Sequence, residues 1–307
     1  MKVSTIHSRY GGTAYPEKPE EALTYFKGIM EVAPEPRMIS HHEPMLLIVP
    51  HIDFRVDTAI YGRIYKRLAN LENFPETFII LGVGHRCPCE FSSCPLNYET
   101  IFGRVETDAD LWNTFQGNCS IPLPRFPASF DGEHSIEFVV AWLQAIQRLS
   151  GKNHAFKILP MLLNGLHEYV QTETLPQEGS ELDRVLKAFQ KMLEKLDPKK
   201  TCIIASIDGC HVGPRFSHPF IANEPVQNAV KTWEATLWSL CRSDRIEDFF
   251  RHISSIGNGF YFDGVGVLTL LLKMFHVQAI IEANALWHED KDQSLVTFAG
   301  GVLSPLT

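Results

Sequence analysis

Short, largely apolar runs, each followed within a few residues by proline, glycine or histidine, are the feature that most constrains how this chain folds. Four of them are Met45 to Val49, Thr77 to Leu81, Phe156 to Leu163 and Thr201 to Ala205. These runs lack the regular polar alternation of a strand with one face in water. We therefore predict strands that are buried on both faces, in a sheet covered by helices.

Segments with helical periodicity lie between these runs. Glu181 to Leu196 places its apolar residues on one stripe, as an amphipathic helix does. Similar segments are Ile136 to Leu149, Val226 to Leu240 and Val265 to Phe275. Prolines followed by acidic residues between Ala14 and Leu23 are typical of the beginning of a helix.

Two further apolar runs, Val277 to Ala283 and Val296 to Val302, predict the last strands. Strands and helices thus alternate along the chain, and no linker-like segment divides it. This order predicts an α/β fold with a mainly parallel central sheet and helices on both faces. We expect residues 1–307 to form a single domain.

The composition is that of an ordinary globular protein and excludes several classes. Of the 307 residues, 45% are hydrophobic and 21% charged, which argues against a disordered or fibrous chain. The net charge of -8 disfavours nucleic acid as a partner. The apolar runs are too short to span a membrane, and the first residues do not resemble a secretory signal. Seven cysteines are too sparse for a disulfide scaffold, so we expect a cytoplasmic protein.

Histidines follow three of the predicted strands. His51, His85 and His211 each come soon after an apolar run, and Asp208 lies just before the third. Ligands of open α/β sheets bind beyond the carboxyl ends of the strands, so we expect these side chains to meet there. A single histidine after a strand is usually a capping or solvent-facing residue. Three histidines with a carboxylate instead indicate a metal site, since two histidines and one carboxylate bind non-haem Fe(II).

Two other motifs carry polar or reactive groups. Glu133 to Glu137, with His134 inside it, opens a predicted helix. It is either an acid/base cluster aimed at the site or a helix-capping segment. Cys87 and Cys89, separated by one proline, follow His85 directly. They are either a thiolate metal or redox site or ordinary loop thiols, because their spacing is not that of zinc knuckles or thioredoxins.

Taken together, the motifs resemble the Memo-like family, also called AmmeMemoRadiSam system protein B. No single motif would suffice, but they follow the family's order over nearly the whole chain. The motifs that carry the resemblance are Gly12-Thr13-Ala14-Tyr15-Pro16, Val49-Pro50-His51, Leu81-Gly82-Val83-Gly84-His85, Glu133-His134-Ser135-Ile136-Glu137, Ile158-Leu159-Pro160, Ser206-Ile207-Asp208-Gly209-Cys210-His211-Val212-Gly213, Gly266-Val267 and Phe298-Ala299-Gly300-Gly301.

The resemblance implies a fold like that of class III extradiol dioxygenases (LigB-like). It implies that His51 and His85 are metal ligands and that His211 is an acid/base residue. It also implies a radical SAM enzyme and an AMMECR-like protein as partners. The chain departs from the family at Phe260, where Memo-like proteins have a cysteine that joins the two histidines at the metal. Asp263, Asp208 or Glu282 would then have to supply the third ligand.

Three functions follow from these residues. The first is a dioxygenase-like oxidoreductase that acts on an unknown small molecule. It would bind a divalent metal, Fe(II) before Zn, through His51, His85 and Asp263, with His211, Asp208 and His134 as catalytic residues. The second is a metal-free binding or scaffold protein, which the loss of the cysteine ligand at Phe260 favours. The third is a zinc hydrolase built on the same histidines.

Overall fold

The computed structural model describes residues 4–39, 42–56, 59–122, 125–152 and 155–306. Within these ranges the strands are β1 (Thr5–His7), β2 (Met45–Val49), β3 (Thr77–Val83), β4 (Phe91–Ser93), β5 (Asn97–Thr100), β6 (Gly103–Thr107), β7 (Lys157–Leu163), β8 (Thr201–Ser206), β9 (His211–Val212), β10 (Val277–Glu289) and β11 (Ser294–Pro305). The helices are α1 (Pro19–Val32), α2 (Ala59–Asn70), α3 (Ala109–Asn118), α4 (Pro127–Phe130), α5 (His134–Leu149), α6 (His167–Gln171), α7 (Glu181–Leu193), α8 (Glu224–Leu240), α9 (Ile246–Ser254) and α10 (Val265–Met274).

The strands form one mixed sheet, in the order β1-β5-β6-β7-β3-β8-β2-β11-β10. β4 pairs with β7, and β9 pairs with β11. The five strands from β6 to β2 are parallel, but β5 runs antiparallel to β6, and β11 runs antiparallel to both β2 and β10. The prediction of a mainly parallel sheet is therefore wrong at the edges. A short loop joins β10 to β11, and strands joined in this way are antiparallel.

Helices cover both faces of this sheet. In β2, Leu46 and Ile48 point into a core formed with α3 and α7 to α10. Leu47 and Val49 point into a second core formed with α1, α2 and α5. Every residue of β2 is buried as a result, which accounts for its uninterrupted apolar sequence.

The parallel arrangement brings the ends of three strands to one edge. β3, β8 and β2 are neighbours, and His85, Asp208 and His51 follow their carboxyl ends. α5 begins at His134, and α10 begins shortly after Asp263. In the part of the chain that the structure describes, no helix has both the length and the apolar character needed to cross a membrane.

Candidate metal centre and adjoining cleft

His51 is the buried centre of the site. Its side chain is 1% exposed, and its Nδ1 lies 3.4 Å from the hydroxyl oxygen of Ser206. On the other side of the ring, Nε2 lies 3.2 Å from Oδ2 of Asp263 and 3.8 Å from Oδ2 of Asp208. The ring nitrogen that faces the two carboxylates is therefore Nε2.

Asp208 ties the loop after β8 to the loop after β2. Its Oδ1 accepts the backbone N–H groups of His51, at 2.8 Å, and Ile52, at 3.0 Å. The carboxylate is almost fully buried, and Oδ2 remains on the side of the His51 ring. Asp208 thus fixes the backbone that carries His51 and also offers an oxygen to the site.

Two further histidines pack against the His51 ring. The ring centres of His51 and His85 are 5.3 Å apart, and those of His51 and His134 are 4.9 Å apart. The His85 and His134 rings are stacked at 4.7 Å. Glu133 lies within 2.9 Å of Nδ1 of His85 and 3.4 Å of Nδ1 of His134, and it caps α5 by accepting the Ser135 N–H. One buried carboxylate therefore orients both rings.

The pKa of each ionisable residue in the site depends on the charges of its neighbours. Burial alone would lower the pKa of His51, but Asp208 and Asp263 raise it to about 9. Burial and the nearby His51 and His85 lower the pKa of His134 to about 3. Burial would raise the pKa of Glu133, but its hydrogen bond with His85 lowers it to about 2.

The pKa values of the two aspartates shift in opposite directions. Burial, together with the charge of Asp263, raises the pKa of Asp208. Burial opposes ionisation of Asp263 as well, but contact with His51 keeps the pKa of Asp263 below its usual value. At neutral pH the site therefore holds a cationic His51 against an ionised Asp263, with the neutral imidazole of His134 beside them.

The donor atoms fit a divalent metal ion. Two sets of side chains place their ligand atoms within 4.8 Å of one another: His51 with His85 and His134, and His51 with Asp208 and Asp263. Nε2 of His51 and both carboxylate oxygens of Asp263 are buried and find no hydrogen-bond partner of acceptable geometry among the described residues. Buried polar atoms are normally paired, so this arrangement could hold a cation that displaces the proton of His51 and lies between its Nε2 and the Asp263 carboxylate. Imidazole and carboxylate ligands suit first-row metals.

Phe260 does not lie among these ligands. Its ring packs edge-on against Trp233, with ring centres 5.7 Å apart, and its carbonyl oxygen accepts the backbone N–H of His211. Asp263, three residues later, is the carboxylate that contacts His51. The segment before α10 therefore brings a carboxylate to His51.

A cleft of about 690 Å³ opens beside His51 and His134. His51, His134, Asp208 and His211 line it, and its aromatic lining residues are Tyr10, Phe138, Phe216 and Trp287. The structure thus places His211 at the same cleft as His51, but His211 belongs to neither set of potential ligands found among the described residues. Its Nδ1 lies 3.3 Å from the carbonyl oxygen of Tyr261, which leaves Nε2 as the proton acceptor of the neutral ring.

Sequence reasoning missed several residues of the cleft lining, among them Tyr10 and Trp287. Tyr10 comes from the N-terminal segment, which Glu137 holds by accepting the backbone N–H groups of Arg9, at 2.8 Å, and Tyr10, at 2.9 Å. Trp287 comes from β10. Tyr10 lies far from any predicted strand end, and Trp287, although it follows the predicted strand Val277 to Ala283, is not a metal-ligating residue.

Comparison with known proteins places this arrangement in one family. The family described as Memo-like protein matches residues 7–302. A MEMO1 family protein of Aquifex aeolicus is 26% identical over 298 residues, which is 95% of this chain and 71% of that protein. One of Methanobrevibacter smithii is 31% identical over 170 residues, which is 55% of this chain and 53% of that relative. One of Pyrococcus furiosus is 26% identical over 217 residues, 69% of this chain and 68% of the relative. The chain therefore belongs to the Memo-like protein family.

Proposed function

We propose that this protein binds one divalent metal ion at the strand-end site and uses it for oxygenase-type chemistry on a small molecule. The metal would be Fe(II), with Zn as the second choice. The proposed fold relationship is to the class III extradiol dioxygenases (LigB-like), whose sites also lie in a cleft of an α/β protein. The observation that carries the proposal is the set of buried, unpaired donor atoms on His51 and Asp263.

His51, His85 and Asp263 would hold the metal. Nε2 of His51 already faces Asp263, and the contact between Nδ1 of His85 and Glu133 leaves the Nε2 of His85 available. A carboxylate that orients a ligating histidine in this way fixes its tautomer and raises its basicity. A bound metal of this type would supply open coordination positions for a small molecule.

The catalytic roles belong to residues that line the cleft. His211 would act as the acid/base group, because its Nε2 is the free nitrogen of the neutral ring. Asp208 would keep the loop of His51 in place. His134, whose pKa of about 3 keeps it neutral, would either hydrogen-bond to the small molecule in the cleft or become a further ligand.

Metal loading tests the site. The full chain would be incubated with Fe(II) under anaerobic conditions, and separately with Zn, then desalted and analysed for metal. We expect one metal per wild-type chain and a loss of at least about tenfold in affinity for His51→Ala and Asp263→Asn. His7→Ala is the matched control, since the His7 side chain is 73% exposed. Equal metal content in wild type and His51→Ala would refute the proposal.

Oxygen consumption by the Fe(II)-loaded protein tests the chemistry. With a panel of oxidisable small molecules, we expect uptake in wild type and strongly reduced uptake in His211→Ala, with metal content unchanged. Zn-dependent hydrolysis without oxygen uptake would favour the hydrolase instead.

The metal-free alternative has a specific basis in Phe260, which replaces the family's cysteine. If wild type binds neither Fe(II) nor Zn, we propose a binding protein that works with a radical SAM enzyme and an AMMECR-like partner. A pull-down with those two proteins, with Asp208→Asn as a variant of the cleft, would then test it.

A further inference from the structure

Cys87 and Cys89 form a close thiol pair on the loop that leaves β3. Their sulfur atoms are 3.2 Å apart, and both residues are half-buried. The Cys87 N–H donates to the carbonyl of Gly84 at 3.0 Å, which closes a turn around His85. A side chain at Gly84 would place its Cβ 2.6 Å from the Cβ of Cys87, so this turn needs glycine. The turn and the intervening proline hold the two thiols side by side.

The two thiols have different surroundings. Cys87 lines a second, smaller cleft of about 280 Å³ together with His85 and Asp263. Cys89 does not line that cleft, and its sulfur donates to the carbonyl of Phe91 at 2.9 Å. A small oxidant that enters this cleft therefore meets Cys87, whose sulfur lies 3.2 Å from the sulfur of Cys89.

From this geometry we propose that Cys87 and Cys89 are a reversible dithiol–disulfide couple, oxidised by a peroxide that enters the smaller cleft. A disulfide requires a sulfur separation of about 2.05 Å, so the sulfurs need to approach by only about 1.1 Å. Redox-sensing cysteines are often accessible thiols that lie next to a second, resolving thiol, and this pair shares these two features.

Hydrogen peroxide is the two-electron oxidant in this reaction. The Cys87 sulfur attacks one peroxide oxygen, the O–O bond breaks, and the departing hydroxide takes the Cys87 proton to form water. The Cys89 sulfur then attacks the resulting sulfenic acid, and the S–S bond forms as the S–O bond breaks. The second hydroxide takes the Cys89 proton and leaves as water. The pair thus loses two electrons and two protons, and an external dithiol restores them.

Thiol mapping on the full chain tests the couple. The reduced protein would be treated with equimolar hydrogen peroxide, denatured in acid, alkylated and analysed by mass spectrometry. We expect the peptide that contains both cysteines to carry no alkyl group and to be two hydrogen atoms lighter than the same peptide with free thiols, and dithiothreitol to reverse the change. Cys119→Ser is the matched control, because Cys119 is also a half-buried free thiol, and it should behave as wild type.

Cys87→Ser and Cys89→Ser separate a linked couple from independent oxidation. Neither variant should form the intramolecular disulfide, and Cys87→Ser should react with peroxide at least about tenfold more slowly. The proposal is overturned if wild type gives only unlinked, over-oxidised thiols, or if Cys87→Ser reacts as fast as wild type. It is also overturned if the thiols react only after a chelator removes a bound ion, which would make them metal ligands.

Discussion

Glu234 is a buried acid whose titration should be visible in the stability of the whole protein. It lies on α8, and its Oε1 accepts a hydrogen bond from Oγ1 of Thr297 at 2.9 Å. Burial raises the pKa of Glu234 to about 7, from 4.5 for a free glutamate. In the folded state the group therefore keeps its proton over a range of pH in which the unfolded chain has lost it.

The direction of the pH dependence follows from the number of protons that the folded and unfolded states bind. As pH rises from about 4.5 to about 7, the unfolded state loses its proton first, so the free energy of unfolding falls. One pKa unit corresponds to about 1.4 kcal/mol, and the shift of about 2.5 units gives a loss of about 3 kcal/mol. Glu234→Gln keeps the acceptor oxygen but removes the titration, so this loss should be absent in the variant.

The assay is urea unfolding followed by circular dichroism at several pH values from about 5 to about 8. The stability of Glu234→Gln minus that of wild type should increase with pH by about 2 to 3 kcal/mol. Glu224→Gln, an exposed position on the same helix, is the control and should give a nearly constant difference. If the Glu234→Gln and wild-type curves are parallel across this range, Glu234 is ionised in the folded state and the reasoning fails.

Two other predictions concern residues that hold the site and the sheet together. The Gly209 N–H donates to the Thr297 carbonyl at 2.7 Å, and an added Cβ would overlap both Thr297 and Glu234. Gly209→Ala should therefore cost about 1 to 3 kcal/mol in urea unfolding and weaken metal binding, and unchanged binding would show that the loop tolerates the shift. The Glu282 side chain is fully buried and pairs with both Arg67 and Arg63, so Glu282→Ala should cost about 3 to 5 kcal/mol. Replacing all three residues by leucine should cost less, and an equal or larger loss would contradict the ion-pair explanation.

Much of the central sheet could be predicted from the sequence, because its strands are buried on both faces. The β2 run has the same bounds as predicted, and β8 is one residue longer, ending at Ser206. The short strands β4 to β6 were not predicted, because they lie away from the centre of the sheet and carry mixed polar and apolar residues. α2 is absent from the prediction although Ile60, Ile64 and Leu68 repeat at helical spacing, because its charged residues obscure the stripe.

The candidate site is predictable to the extent that it depends on strand ends. The convergence of His51 and His85 follows from the parallel order of β2, β8 and β3. The positions of His134 and Asp263 depend instead on where α5 and α10 begin relative to the sheet, which is set by long-range packing. His211 shows the limit of the strand-end rule, since its neighbour Phe260 holds its backbone at the cleft wall, outside the histidine cluster.

The exchange of a thiolate for a carboxylate has a consequence for metal choice. Neither ligand set found among the described residues contains a cysteine; each offers only imidazole nitrogen or carboxylate oxygen. Soft ions such as Cu(I) favour thiolate ligands, whereas Fe(II) and Zn accept imidazole and carboxylate. With Phe260 packed against Trp233 and Asp263 against His51, the proposed metal site would favour a harder ion than a cysteine-containing site would. Introducing a cysteine in place of Asp263 should therefore shift the preference toward softer ions without moving the two histidines.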